Sequence, residues 1–233
     1  MSGTLTPVAE SAPIPVPILA PGSRAGARLP LALKLAYTAF MAVLVPTYWY
    51  YYGPTNFLYF CDLALILTLL GLWTESALLV SMCAVGILAP QVLWLVDFGA
   101  GLFGVPLTGM TAYMFKTENS AFLRGLSLFH GWLPFLLVAL VWRLGYDRRA
   151  WAAWSALAVV VLSVCFVFMP APMPDPGLLP VNINYVWGMD DTAAQTWMPA
   201  WAWFAMLLVG IPLLLCGPTH LVLRTLMPAP FSR

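Results

Sequence analysis

Cys61 and His130 are the residues of this sequence that could together carry out nucleophilic catalysis. A thiol needs a neighbouring base or a positive charge to become a reactive thiolate, and His130 is the histidine that could serve Cys61 in this way. At ~1.5 Å per helical residue, Cys61 would lie roughly 8 Å and His130 roughly 15 Å below the outer ends of their predicted helices. The sequence therefore offers Cys61 and His130 as a candidate catalytic pair, with Asp62 as a supporting residue.

Each of these residues also has an ordinary structural explanation, which stays open at this point. A single Cys inside a helix usually fills space in a core. A single His inside a membrane usually pairs with a neighbouring helix, and Asp62 could be a hydrogen-bonded packing residue. Spacing alone does not separate these explanations from catalysis.

The segment VNINYVWG is the second polar region of interest, because Asn182, Asn184 and Tyr185 alternate there with apolar residues. It could fold over the outer mouth of the helices and donate hydrogen bonds, which makes Asn184 and Tyr185 supporting site residues. The alternative is an ordinary interfacial loop anchored by Tyr and Trp. The neighbouring pair Asp190 and Asp191 is typical of a solvated loop.

The cysteines and histidines predict neither a metal site nor a cofactor. The four cysteines lie in separate apolar stretches without a CxxC motif or a Cys/His cluster: Cys61, Cys83, Cys165 and Cys216. Such spacing argues against a zinc site and against a disulfide framework. His220 is predicted near the end of the last helix, too far from His130 for the two to hold one haem or metal.

The composition places these candidates in an integral membrane protein. Of the 233 residues, 62% are hydrophobic and 8% are charged, whereas soluble domains carry about 25% charged residues. The formal net charge of +1 gives no indication of a nucleic-acid partner. Membrane lipids are the expected environment and partners.

The apolar runs predict an all-α polytopic bundle of about six transmembrane helices at ~20 residues each. The spans are predicted at 29–52, 56–73, 77–96, 120–144, 150–169 and 197–215. Residues 1–29 are rich in Pro and Ala and are predicted to form a flexible cytoplasmic tail. Residues 30–233 then form the transmembrane domain.

The segment 98–115 is apolar, but it is interrupted by glycines and one proline, and charge decides how to interpret it. If this segment does not span, most basic residues share one side of the membrane: Arg24, Arg28, Arg143, Arg148, Arg149, Arg224 and Arg233, joined by the snorkelling Lys34. Lys116 and Arg124 alone lie opposite. The positive-inside rule therefore favours six spans, cytoplasmic termini and a re-entrant or interfacial element at 98–115 on the outer side.

The stretch FLYFCDLALILTLLGLW resembles the LPLHLCDLAL signature of the YwaF-like bacterial integral membrane proteins. The later order is also similar, with a His-containing span at LFHGWLPFLLVALVW and an Asn-Tyr motif at NINYVWG. That family is distantly similar to transmembrane acyltransferases and to androgen-induced hydrolases of fatty-acid esters. The resemblance implies a bacterial inner-membrane protein in which Cys61 is the nucleophile and His130 its partner.

These observations lead to an expected function and one alternative. The expected function is acyl transfer on lipid, either as an acyltransferase or as an ester hydrolase, in which Cys61 and His130 react and Asn184 helps to hold the oxyanion. The alternative is a non-catalytic subunit of a larger membrane complex, packed through small residues such as Gly99, Gly101 and Gly104. A transporter built around Asp62 would need internal repeats, which the sequence lacks.

Overall fold

The computed structural model describes residues 28–105, 107–116 and 119–230, and all regular structure in these ranges is helical. The α-helices are α1 Leu31–Tyr52, α2 Phe60–Thr74, α3 Ala77–Leu102, α4 Ala121–Ser127, α5 Phe129–Leu144, α6 Ala150–Phe168, α7 Ala200–Gly210 and α8 Gly217–Leu226. Short 3-10 helices occur at Pro54–Leu58, Ala112–Met114 and Ile183–Tyr185. The predicted tail falls almost entirely outside the described residues.

The apolar helices confirm the prediction of an all-α polytopic membrane bundle. Five helical units in the described residues are long and apolar enough to cross a membrane: Leu31–Tyr52, Ala77–Leu102, Ala121–Leu144, Ala150–Phe168 and Ala200–Leu226. Two of these units are composite, since α4 continues into α5 and a π-helical turn at Ile211–Cys216 joins α7 to α8. The shorter apolar helix α2 occupies the place of the predicted second span.

Contacts between the helix ends fix an alternating up-and-down arrangement. At one end, the ammonium of Lys34 donates to the Glu75 carboxylate at 2.7 Å, and the Arg143 guanidinium donates to the Arg28 carbonyl at 3.0 Å. We call this the basic end. It carries Arg28, Lys34, Arg143, Arg148, Arg149 and Arg224. The gathering of these side chains at one end is what the six-span prediction requires.

The opposite end, which we call the site end, holds the polar candidates. The Asn184 side chain there bonds the backbone that leads into α2, and the carboxylate of Asp97 bonds the backbone that follows α3. Residues 103–105 and 107–116 stay at this end of the bundle and add no further span to those of the described residues. The helix α3 itself continues to Leu102, beyond the predicted end at residue 96, because Asp97 is buried by its own loop and does not need solvent.

The helix α3 lies at the centre and packs against α2, α5 and α6. Its closest approach to α6 depends on Gly86, because a Cβ atom at that position would overlap the indole ring of Trp154. Trp154 is fully buried and is among the largest side chains of the core. The core therefore fixes how α3 is rotated about its axis, and that rotation decides which polar residues of α3 face the neighbouring helices.

Candidate functional site

The centre of the candidate site is Asp62, in the first turn of α2. The chain turns at Gly53 in a left-handed conformation, and the short helix Pro54–Leu58 brings Asn56 back over the start of α2. The side-chain amide of Asn56 donates to Oδ2 of Asp62 at 3.2 Å, and both residues are buried. A carboxylate in the first turn of a helix also lies at the positive end of the helix dipole.

Cys61 is half-buried, and its thiol lies beside the same carboxylate. The Cys61 Sγ atom lies 3.7 Å from Oδ2 of Asp62, the distance of a weak S–H hydrogen bond. Two donors therefore meet on one oxygen of Asp62, while its Oδ1 atom is buried and has no hydrogen-bond partner among the described residues. Within the described part of the chain, this carboxylate therefore retains a buried acceptor that is free.

Hydroxyl groups from other helices lie in the neighbourhood of this carboxylate. The hydroxyls of Tyr48 and Ser127 bond each other at 2.9 Å, which links α1 to α4. The indole N–H of Trp94 donates to the hydroxyl of Tyr113 at 3.2 Å. The hydroxyls of Tyr48 and Tyr113 lie close enough to Asp62 to interact with it electrostatically. We call Tyr48, Cys61, Asp62, Tyr113 and Ser127 the polar cluster.

His130 lies beside this cluster and has a different partner from the one proposed for catalysis. Its Nδ1 atom is 3.0 Å from Oε1 of Gln91, and its ring stacks on Trp94 with 5.0 Å between centroids. No hydrogen bond joins His130 to Cys61 in the described part of the chain. The side chains of Trp94 and Tyr113 connect the two regions, and the catalytic pairing stays a prediction.

The carboxamide of Asn184 bonds the backbone at the start of α2 through both its nitrogen and its oxygen. Its Nδ2 atom donates to the Leu58 carbonyl at 2.8 Å, and its Oδ1 atom accepts from the Phe60 backbone N–H at 3.1 Å. Asn184 itself adopts a left-handed backbone conformation with φ of 58°, which Asn tolerates better than most residues. The loop thus folds against α2 and fixes the residue next to Cys61.

Tyr185 and Asn182 stabilise this same loop. The carbonyl of Tyr185 accepts the indole N–H of Trp203 at 2.8 Å, and Asn182 donates to the carbonyl of Gly188 at 2.9 Å. Burial raises the pKa of Tyr185 to about 12, so its hydroxyl is neutral at physiological pH. Burial also raises the pKa of Asp191, whereas the backbone N–H of Thr192 lowers the pKa of the exposed Asp190.

Two polar residues of α3, Gln91 and Asp97, were missed by the sequence-based choice of site residues. Gln91 is buried and is the partner of His130. Its signal in the sequence is a single amide within the apolar run APQVLW. Asp97 is 1% exposed and accepts bonds from the backbone N–H groups of residues 107–109 and 111 and from the hydroxyl of Thr111. It organises a loop and has no free acceptor comparable to that of Asp62.

The titratable side chains of the described residues do not come together as metal ligands. These residues contain no group of three or more His, Cys, Asp or Glu side chains that could hold a metal ion. The groups that the structure places in and beside the polar cluster are one thiol, one carboxylate, an imidazole and several hydroxyls.

Comparison of the chain with models of known protein families, with curated proteins and with solved structures finds no match. The resemblance to the YwaF-like proteins thus rests on the residues quoted for it.

Proposed function

We propose that this protein is an integral membrane enzyme that transfers an acyl group from a lipid ester through the thiol of Cys61. The observation that supports this most directly is the hydrogen bond from Cys61 to the buried carboxylate of Asp62. A thiol and a base within hydrogen-bond reach, at one end of an apolar bundle, are the minimal arrangement for acyl transfer to a lipid-soluble substrate.

The proposed first step forms a thioester. As Sγ of Cys61 bonds to the acyl carbonyl carbon, its proton passes to the carboxylate of Asp62. The ester C–O bond then breaks, and the departing alkoxide takes that proton from Asp62 and leaves as an alcohol. The acyl group is now held on Cys61.

The second step releases the acyl group. Water or the hydroxyl of an acceptor lipid attacks the thioester carbon, and its proton passes to Asp62. The C–S bond breaks and the Cys61 thiolate recovers the proton. Water as acceptor gives hydrolysis, and a lipid hydroxyl gives acyl transfer.

The surrounding side chains have distinct roles in this proposal. The Tyr113 hydroxyl accepts a hydrogen bond from the indole N–H of Trp94. The hydroxyl hydrogen of Tyr113 therefore remains available to donate to the developing oxyanion. Asn184 is assigned a positioning role, because both ends of its carboxamide already hold the backbone before Cys61. His130 would act as the base only after it or the thiol changed its present hydrogen-bond partner.

The placement in the membrane is part of the proposal. We assign the basic end to the cytoplasmic face of a bacterial inner membrane and the site end to the outer leaflet, from which lipid would enter. Lys116 lies at the site end and Arg148 at the basic end. A cysteine at position 116 should react with a membrane-impermeant maleimide in intact cells, whereas a cysteine at position 148 should react only after permeabilisation. The reverse labelling would overturn this orientation.

The catalytic proposal is tested with purified protein in lipid nanodiscs and a fluorogenic acyl ester. Cys61→Ala should abolish turnover, and Asp62→Asn should lower kcat by roughly 100-fold or more, as expected for loss of a general base. Cys216→Ala is the matched control, because Cys216 is a buried cysteine in the last span. Turnover by Cys61→Ala at the wild-type rate would refute the role of the thiol.

A further variant separates the two possible bases. His130→Gln should leave turnover nearly unchanged if Asp62 takes the proton. If it is as damaging as Cys61→Ala, and the double variant is no worse than either, then His130 and Cys61 act as one unit. In that case His130 would replace Asp62 as the base in the proposed steps.

The glycines first considered for the alternative of a non-catalytic subunit differ in their surroundings. A Cβ atom at Gly101 would overlap the ring of Phe115 within the same chain, and Gly104 adopts a left-handed turn conformation. A Cβ atom at Gly99 or at Gly104 would meet nothing within 4 Å, so these two glycines face open space. Failure of the wild type to hydrolyse any acyl ester, together with stoichiometric co-purification of another membrane protein, would favour the alternative.

A further inference from the structure

A groove at the site end lies outside the polar cluster. It has a volume of about 390 Å³ and runs between the end of α3, the short helix Ala112–Met114 and the start of the fourth span. Its walls are mainly apolar and include Phe98, Leu102, Phe115 and Leu128. Leu102 is 64% exposed, so the groove is open towards the surroundings of the bundle.

One cation, Arg124, lines this apolar groove. Its Nη1 atom donates to the Met114 carbonyl at 3.2 Å, while its Nε atom is buried and has no hydrogen-bond partner among the described residues. No carboxylate within the described ranges forms an ion pair with Arg124. A guanidinium prefers an oxyanion that accepts two parallel hydrogen bonds, and none of the described residues supplies one to Arg124.

We infer that the groove binds one anionic phospholipid, with its phosphate on Arg124 and an acyl chain along Phe98, Leu102 and Leu128. Charge complementarity specifies the headgroup, because a phosphate would satisfy a cation held beside apolar walls. The depth of Arg124 indicates that the phosphate belongs to a lipid with an acyl chain, because Arg124 lies in the first turn of its span, near the level of lipid phosphates. This binding does not require Cys61 to be a nucleophile.

The groove and the polar cluster share one aromatic wall. Phe115 stacks on Phe98 at 5.6 Å between centroids, and Phe98 stacks on Trp94 at 5.0 Å. Trp94 in turn donates to Tyr113 of the cluster. A lipid in the groove therefore contacts the outer side of the wall that positions Tyr113, and occupancy should restrain Ala112–Met114.

The test uses delipidated protein in a mild detergent and follows thermal unfolding as lipid is added. Dioleoylphosphatidylglycerol should raise the unfolding midpoint at lower concentration than dioleoylphosphatidylcholine, because only the first carries net negative charge. Inorganic phosphate should have no effect at matched concentration. Equal responses to both lipids would overturn recognition of the headgroup, and a response to phosphate alone would overturn binding of the chain.

Two variants locate the site. Arg124→Gln should weaken the response to phosphatidylglycerol by roughly tenfold or more, the size expected for one charge-assisted contact. Arg124→Lys should retain part of the preference, which shows that the fold survives at this position. If phosphatidylglycerol binds Arg124→Gln as it binds the wild type, the guanidinium does not hold the phosphate.

The groove itself is blocked through Gly125, where a Cβ atom would meet nothing within 4 Å. Gly125→Leu should fill the groove without disturbing the fold and should abolish stabilisation by either lipid. Gly99→Leu is the matched control, because Gly99 lies in α3, faces open space and does not line the groove. Undiminished lipid binding by Gly125→Leu would show that the lipid lies elsewhere.

Discussion

Replacing Asp97 should release the loop that follows α3 while leaving the bundle folded. The carboxylate accepts backbone N–H groups from Leu107, Thr108 and Gly109 on Oδ1 and both the N–H and the hydroxyl of Thr111 on Oδ2. The first three residues are exposed and Thr111 is buried. Water can therefore replace the carboxylate for three donors but not readily for the other two.

This difference in burial sets the magnitude for Asp97→Ala. The two buried donors of Thr111 would lose their acceptor, which costs about 1 kcal/mol each at the low end of the usual range. The three exposed N–H groups would bond water instead, which costs about 0.5 kcal/mol each. In total, the free energy that favours the closed loop falls by about 3.5 kcal/mol. Since about 1.4 kcal/mol corresponds to a factor of ten, the loop should open more than 100-fold more often.

Hydrogen exchange measured by mass spectrometry reports this opening directly. Amides in 107–116 should exchange at least about 100-fold faster in Asp97→Ala, while amides of α3 and α6 keep their protection. Thr111→Val removes one of the five bonds and should give roughly a tenfold effect. Asp190→Ala is the control, because the exposed Asp190 accepts two bonds from Thr192 in a different loop.

Two results would contradict the reasoning about Asp97. One is acceleration of less than about threefold in 107–116, which would mean that other contacts hold the loop closed. The other is equal acceleration throughout the bundle, which would mean that Asp97 supports the global fold.

Three further variants test the packing, the loop and the basic end. Gly86→Ala should place a methyl group against Trp154 and reduce the folded fraction measured by size-exclusion chromatography. Adding Trp154→Leu to the same chain should partly restore the folded fraction. If the double variant stays as poorly folded as Gly86→Ala, the overlap with Trp154 is not the cause. Asn184→Gly keeps the left-handed backbone but loses all three side-chain hydrogen bonds, so it should lower the unfolding midpoint by nearly as much as Asn184→Ala. A wild-type midpoint for Asn184→Gly would show that the backbone alone matters. The hydrogen bond from Lys34 lowers the pKa of Glu75 below 4.5, so this carboxylate stabilises the fold above that pH and its contribution is lost as pH falls through the lowered value. The wild-type midpoint should therefore fall more steeply in acid than that of Glu75→Gln, and parallel curves would contradict this.

The fold was largely predictable because the bilayer leaves few choices for the chain. Apolar runs of about 20 residues have to form helices that satisfy their own backbone groups. The second span begins at Phe60 and not at 56, because Gly53 and Pro54 start a tight 3-10 turn before it. Such a turn changes the length of a span without changing the order of the spans.

The candidate site was predictable only where its partners are neighbours in sequence. Cys61 and Asp62 are adjacent, so their contact needs little tertiary information. The pairing of His130 with Gln91 depends on how α3 and α5 are rotated about their axes, and apolar residues on every side of α3 conceal that rotation. The partners of Asp97 were also hidden, because a carboxylate before a glycine-rich run is typical of a solvated helix end.

Asp62 and Asp97 form a contrast within one end of the same bundle. Both are buried acids, yet Asp97 uses both oxygens, whereas Oδ1 of Asp62 has no hydrogen-bond partner among the described residues. An acid retained only for stability should resemble Asp97, because an unsatisfied buried acceptor costs about 1–3 kcal/mol. Asp62→Asn should therefore leave the unfolding midpoint unchanged or raise it. Asp97→Asn should instead increase hydrogen exchange of the loop amides, because the N–H₂ group of the new asparagine would face backbone N–H donors. If Asp62→Asn instead unfolds the bundle, Asp62 is a packing residue and the proposed proton acceptor is lost.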